Sequence, residues 1–274
     1  MLVLFNGTGS VEKVIHSLYK NAEVVTVDWD AQSRPTHCAD VRKWEKSPSC
    51  MQYPKGHFDV VWASPPCTEY SQAKTTGTRR LKSADATVQA ALRIISRLKP
   101  RFWFMENPKG RKPFGLHTRR FMAPYAKFCK QCTYCKYGTA YRKSTNIWAN
   151  APVGQLKYCD HAHGYCKARS WLGYHPARAQ RGPCRAKGVK ILGHGGNSNR
   201  VYPIPDKLLR HLFGSMAGTK FDKPQPVLTV VEIAPLPASA LPGVQSDRPL
   251  RLTTPGFRYS TSPGAQEALA PSSL

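Results

Sequence analysis

With 274 residues, 41% of them hydrophobic, the chain can build one full domain with additions around an ample core. No run approaches twenty apolar residues and no charged leader precedes the first apolar segment, so neither a membrane span nor a signal peptide is expected. The balance of 41 Lys and Arg against 16 Asp and Glu leaves a net charge of +25, most easily tolerated opposite a polyanion.

In chain order, LVLFN (2–6) reads as a strand, followed by the loop Gly7-Thr8-Gly9-Ser10 and a helix with Val11, Val14, Ile15 and Leu18 on one face. Glycines at 7 and 9 let the backbone turn sharply and approach a ligand above the helix N-terminus. A dinucleotide fingerprint would place a third glycine at position 12, where this chain has Glu12, a side chain that repels a pyrophosphate. The second strand, EVVTV (23–27), ends in Asp28-Trp29-Asp30, placing an acid where a ribose diol is usually held and an indole beside it for an adenine ring. Asp40, in HCADV, offers an acceptor for the adenine amine. Together these features point to an adenosyl cofactor without phosphates, S-adenosylmethionine.

A third strong strand, FDVVWA (58–63), runs into Ser64-Pro65-Pro66-Cys67. Proline lacks an N–H and has fixed φ, so the ladder stops and the cysteine is held in a stiff loop at the carboxyl edge of the sheet. A helix marked by Ala84, Val88, Ala91, Leu92, Ile95 and Leu98 then leads to RFWFM (101–105) and Glu106-Asn107-Pro108 at the same edge. A soft nucleophile and an acid brought together there suit covalent chemistry on a flat electrophile. Residues 1–108 thus read as an α/β core with a mostly parallel, Rossmann-like sheet.

Residues 109–195 form a basic, Cys-rich region for nucleic acid. Between Glu106 and Asp206 a single acid, Asp160, faces nineteen Lys and Arg with aromatics interleaved. Its weak periodicity predicts loops and short strands added to the sheet. The spacing of Cys129, Cys132 and Cys135, then Cys159, His161, His163 and Cys166, fits structural zinc, with Cys132, Cys135, Cys159 and Cys166 the preferred ligands. The alternative is a set of small buried or free thiols, and nine cysteines in all read as a reducing, intracellular setting rather than a disulfide framework. His16, His57, His175 and His211 read as ordinary histidines. Residues 196–218 carry a turn and a helix with Leu208, Leu209 and Leu212, and 219–274, with nine prolines, read as a disordered tail.

The series LFNGTGS, VDWD, CADV, WASPPCTEYS and MENP resembles the motif order of the DNA (cytosine-5)-methyltransferases, most closely the short phage- and virus-type members, over residues 2–148. The resemblance implies that Phe5, Gly7 and Gly9 line the methionine side of the cofactor, that Asp28 holds the ribose, and that Trp29 and Asp40 serve the adenine. Pro65 joins this cofactor set. It further implies that Cys67 attacks C6 of a cytosine flipped out of double-stranded DNA, and that Glu106 engages N3 and the exocyclic amine. Asn107, Arg142 and Lys143 are then assigned to the substrate. The segment YGTAYRKSTNIW (137–148) resembles the family's Gln-x-Arg-x-Arg strand with a departure: Lys143 replaces the first arginine and Thr145 the second. GNSNRVYPIPDKLLRHLF (196–213) resembles the last motif, which closes over the methionine end. The implied enzyme is a monomer. Two alternatives stay open: RNA as substrate, and a non-catalytic nucleic-acid binder on a methyltransferase scaffold.

Overall fold

The structure is a computed structural model and describes residues 1–160, 166, 175–178, 190–191, 203–214 and 216. Seven strands make one sheet: β1 (Leu2–Leu4), β2 (Val25–Asp28), β3 (His37–Cys38), β4 (Val60–Ala63), β5 (Phe102–Pro108), β6 (Cys129–Thr133) and β7 (Ser144–Ala149). Their order across the sheet is β3-β2-β1-β4-β5-β7-β6. The first five run parallel, whereas β7 lies antiparallel to β5 and to β6. The chain moves outward from β1 to β3, then returns to place β4 on the other side of β1. That reversal opens a crevice at the carboxyl ends of β1 and β4, the place where open α/β sheets bind ligands.

Strand alternation sends side chains to two separate cores. Val3, Trp62 and Phe104 face one side, where α1 (Ser10–Leu18) and α5 (Asp206–Gly214) pack. Leu4, Val61 and Met105 face the other, against α2 (Val41–Trp44) and α4 (Leu81–Leu98). α3 (Pro48–Met51) buries Cys50 into this second core. The rings of Trp62, Phe104 and Phe213 lie 5.4–5.7 Å apart, which fixes α5 against the middle of the sheet. Two further bonds dock α5 on α1: Tyr19 donates its hydroxyl proton to the Phe213 carbonyl at 3.2 Å, and Arg210 donates to Ser17 Oγ at 2.7 Å.

β5 runs three residues beyond the expected RFWFM, because β7 supplies a ladder partner that the periodicity of β5 alone does not reveal. Glu106 pairs with Ile147 and Asn107 with Asn146, so the acid sits within a strand and not in the loop after it. The start of the basic region is therefore structural: β6 and β7 complete the sheet, as the expected added strands. Ala177–Arg178 and Lys190–Ile191 form a separate two-stranded parallel ladder. His161, His163, Cys184, the 196–202 turn and the 219–274 tail lie outside the described residues.

Candidate active site

β4 ends at Ala63, and the last amide tied to its neighbour is that of Ser64, which donates to the Leu4 carbonyl at 3.2 Å. Pro65 and Pro66 have no N–H to offer, so the loop must be held through its acceptors. Asn107 supplies the donor: its buried side-chain amide donates to the Pro65 carbonyl at 2.9 Å. Beyond Cys67 the chain turns at once, with the amides of Tyr70 and Ser71 both donating to the Cys67 carbonyl at 3.0 and 2.8 Å. The Tyr70 hydroxyl is buried and donates to Asp85 on α4 at 2.9 Å, and Arg119 grips the same carboxylate in a bidentate pair. Farther along, the Arg79 guanidinium donates to the carbonyls of Glu69, Ser71 and Lys74, closing the loop on itself. Gly110 abuts this turn so closely that a Cβ there would lie 2.2 Å from the Tyr70 carbonyl oxygen.

Alternation along β5 puts Asn107 on the loop side and Glu106 on the opposite face. Glu106 is buried, and its Oε1 accepts the Tyr134 hydroxyl proton at 2.8 Å. Lys143 brings its ammonium to 3.8 Å from the same oxygen and lies over the Tyr134 ring. The Cys67 thiol feels these charges. Burial pushes it above its ordinary value, Lys143 pulls it back down, and the Glu106 carboxylate pushes it up again. Burial and the adjacent Glu106 also hold the Tyr134 phenol protonated, as a hydrogen-bond donor.

The departure in the arginine strand resolves unevenly. Lys143 reaches the acid, but Arg142 turns away, donating to the Cys159 carbonyl at 2.8 Å and stacking on Tyr158. Its guanidinium is thus held at Cys159 and Tyr158, whereas the Lys143 ammonium is held at Glu106. Thr145 is fully buried within the β5–β7 ladder. Asn107, also assigned to substrate, has no exposed surface and instead positions the Pro65-Pro66-Cys67 loop. Tyr134, Asp85 and Arg119 carried no sequence signal of their own, and Tyr70, though within WASPPCTEYS, had no role assigned, since each acts across a separation in the chain.

At the crevice, a cavity of about 230 Å³ is lined by Phe5, Trp29, Asp40, Val41, Arg42 and Pro66 among others. The structure thus gathers Phe5, Trp29 and Asp40 with the residue before Cys67. Pro65 itself is buried, with its carbonyl on Asn107. Phe5 has φ 64°, a conformation costly for a residue with a side chain, by roughly 1–3 kcal/mol. Gly7 and Gly9 follow with φ 51° and 66°, so the loop coils tightly above α1. Asp28 holds that loop from beneath, accepting from the amides of Gly7 and Asp30 at 2.8 and 2.9 Å. Trp29 is 72% exposed, a free indole face on the cavity wall. Asp40 caps α2 through the Arg42 amide, and its ion pair with Arg42 holds its carboxyl below the usual carboxylate range. Glu12 in the first turn of α1 opposes any anion above the helix. The cavity thus offers an open indole face and the Asp40–Arg42 ion pair, an aromatic platform and a polar edge of the kind an adenine ring requires.

The family profile for C-5 cytosine-specific DNA methylase matches residues 20–116. Over 173 residues the chain is 30% identical to the protein named "Probable DNA (cytosine-5)-methyltransferase" of Frog virus 3 (isolate Goorha), covering 58% of this chain and 74% of that one. The chain belongs to the DNA (cytosine-5)-methyltransferase family. The parallel sheet with one antiparallel strand is accordingly the Rossmann-like methyltransferase fold that the sequence led us to expect. Among solved structures, a protein described as a DNA modification methyltransferase encoded within an E. coli prophage aligns at 16% identity with a TM-score of 0.38, over 54% of this chain and 45% of its own. A mutant of Spodoptera frugiperda DNMT2 aligns at 14% identity and 0.40, over 58% and 54%. The chain spans about half the length of these two, and likenesses of that size add nothing to the family assignment.

Proposed function

We propose that this methyltransferase-family chain transfers a methyl group from S-adenosylmethionine to C5 of a cytosine flipped out of double-stranded DNA, through a covalent bond between Cys67 Sγ and C6. The observation that carries this reading is the shared mounting of nucleophile and acid. Asn107 fixes the Cys67 loop, and the residue before it in the strand is Glu106, held by Tyr134 and Lys143. S-adenosylmethionine, when bound, supplies an electrophilic methyl on sulfonium.

Cytosine C5 is a poor nucleophile until something adds at C6. The Cys67 thiolate is suited to that addition, and the Lys143 ammonium favours the charged form of its sulfur. As the C6–S bond forms, electron density moves into the ring toward N3, where the Glu106 carboxyl group neutralises it by sharing a proton. C5 then takes the methyl, a base removes H5, and the electron pair of that C–H bond expels the Cys67 thiolate. Sulfur is regenerated, and the balance is one methyl gained against one proton lost. Unstacking the target base costs a few kcal/mol, which contacts along the basic region offset.

The cysteines at 38, 50, 67, 129, 132, 135, 159 and 166 are free thiols, and a nucleophilic Cys67 has to stay so. A reducing intracellular compartment fits that requirement. No helix among the described residues is long and apolar enough to cross a membrane.

The test is to incubate the protein with S-adenosylmethionine and duplex DNA carrying 5-fluorocytosine. Fluorine cannot leave as H5 does, so a protein–DNA adduct resistant to denaturing electrophoresis should accumulate. Cys67→Ala should abolish both the adduct and methylation while retaining cofactor binding. Methylation by Cys67→Ala at the wild-type rate would end the covalent mechanism.

A further inference from the structure

After β7 the chain doubles back along the 3-10 turn Tyr134–Tyr137 that follows β6. Thr133 donates its amide to the Lys157 carbonyl at 3.2 Å, and the Lys157 amide donates to the Tyr137 hydroxyl at 2.9 Å. The Cys159 amide donates to Thr133 Oγ1 at 2.8 Å. These bonds seat Cys159 beside Cys135, and Cys166 and His175 arrive at the same point. One ligand atom from each of Cys135, Cys159, Cys166 and His175 lies within 4.8 Å of every other, and all four residues are buried. Cys159 Sγ lies 3.9 Å from His175 Nε2.

Among the described residues, three cysteines make up this small buried cluster, separate from the two cores that flank the sheet. Ala151, Val153 and Leu156 anchor the start of the segment after β7 in the core, whereas the three thiols themselves contribute little apolar area. The thiols are free and not bridged. Tetrahedral zinc with Zn–S bonds of about 2.3 Å places its sulfurs about 3.8 Å apart, a spacing this cluster reaches with little movement.

We propose that Cys135, Cys159, Cys166 and His175 bind a structural zinc ion that clips the segment after β7 onto the turn carrying Tyr134. The set differs from the one expected by spacing, with His175 in place of Cys132. Cys132 lies within β6, paired with Thr145, while Cys135 belongs to the turn beyond the strand end. Three thiolates and an imidazole, with no open position, make the site structural and not catalytic. Three thiolates around a divalent ion leave one net negative charge, and Arg142, bonded to the Cys159 carbonyl, sits next to it. The clip also reaches the acid indirectly. Cys135 is the residue after Tyr134, and Tyr134 holds Glu106.

The experiment measures metal, independently of methyl transfer. Full-length protein purified under reducing conditions should contain about one zinc per chain by elemental analysis. The cobalt-substituted protein should show the intense absorption of tetrahedral thiolate-bound cobalt. His175→Ala should lose the metal, His175→Cys should retain it with an altered cobalt spectrum, and Cys132→Ser should retain it unchanged. Folding of each variant is read by circular dichroism, and the wild-type measurement stands even where a variant fails to fold. Wild-type protein that neither contains zinc nor takes up added zinc or cobalt would overturn the proposal. So would loss of metal in Cys132→Ser with retention in His175→Ala.

Discussion

Glu106 has a phenol and an ammonium on one oxygen, and the two neighbours do different things. Tyr134 donates a neutral hydrogen bond that fixes the carboxylate, whereas Lys143 adds charge that acts on both Glu106 and Cys67. The sign of each effect on the thiol can be read in one assay. Removing a cation makes the thiolate harder to form, so Lys143→Met should move the pH midpoint of Cys67 alkylation upward in the DNA-free enzyme. Removing an anion does the opposite, so Glu106→Gln should move it downward. The same Glu106→Gln should slow methylation by roughly 10²–10⁴, the range for a positioned acid, without abolishing DNA binding. Alkylation midpoints that shift together, or not at all, would contradict this account. Cys67 and Glu106 were legible because proline stops and an acid at a strand end carry local signals. Tyr134 was not, because an aromatic in a basic region has no periodicity to mark its partner 28 residues away. His175 was hidden for the same reason: sequence spacing grouped Cys132 with Cys135, but a strand boundary separates them.

At the scale of elements, the nucleophile loop is held from three sides: by β5 through Asn107, by α4 through Tyr70 and Asp85, and by the turn at Gly110. The α4 helix was legible from its apolar face and begins three residues earlier than its first expected marker. The approach of Gly110 was not legible, since a lone glycine after a strand looks like any turn. A Cβ at that position would meet the Tyr70 carbonyl at 2.2 Å and the Gly115 Cα at 2.5 Å, both backbone and unable to rotate aside. Gly110→Ala should therefore destabilise the fold by about 1–3 kcal/mol and displace the Cys67 turn. Denaturant unfolding checks the first effect. The second should appear as lost adduct formation with S-adenosylmethionine binding weakened far less, because Pro66 is the one residue of that loop in the cavity lining and the rest comes from elsewhere. Full activity in Gly110→Ala would show that the turn has room to shift.

At the scale of the molecule, the charge of +25 is the term that composition made plain and the fold made specific. β6 and β7 carry part of the basic segment into the sheet, while Arg111 and Lys112 stay exposed on the turn that Gly110 packs against the nucleophile loop. We expect both to meet backbone phosphates of the DNA proposed above as substrate. Duplex affinity should fall with salt at a log–log slope of about −0.9 per phosphate contact. Arg111→Ala and Lys112→Ala should each lower that slope by about one, uniformly across sequences. An unchanged slope in the double variant would move the phosphate track elsewhere on the surface.

The amide of Asn107 on the Pro65 carbonyl has a mechanical consequence. Parallel sheets breathe, and adjacent strands slide and twist against one another. A nucleophile on one strand and an acid on the next would drift apart with every such fluctuation. Here the sulfur's loop is tethered to the strand that carries the carboxylate, at the very next residue. A slip of β5 carries the tether along with the acid and draws the loop after it. The bond is expected to make motion of β5 common to both groups, so that the separation between sulfur and carboxylate varies less than that between the strands. Asn107→Asp, which replaces the donor by an acceptor facing a carbonyl, would cut that linkage while leaving both reactive residues in place.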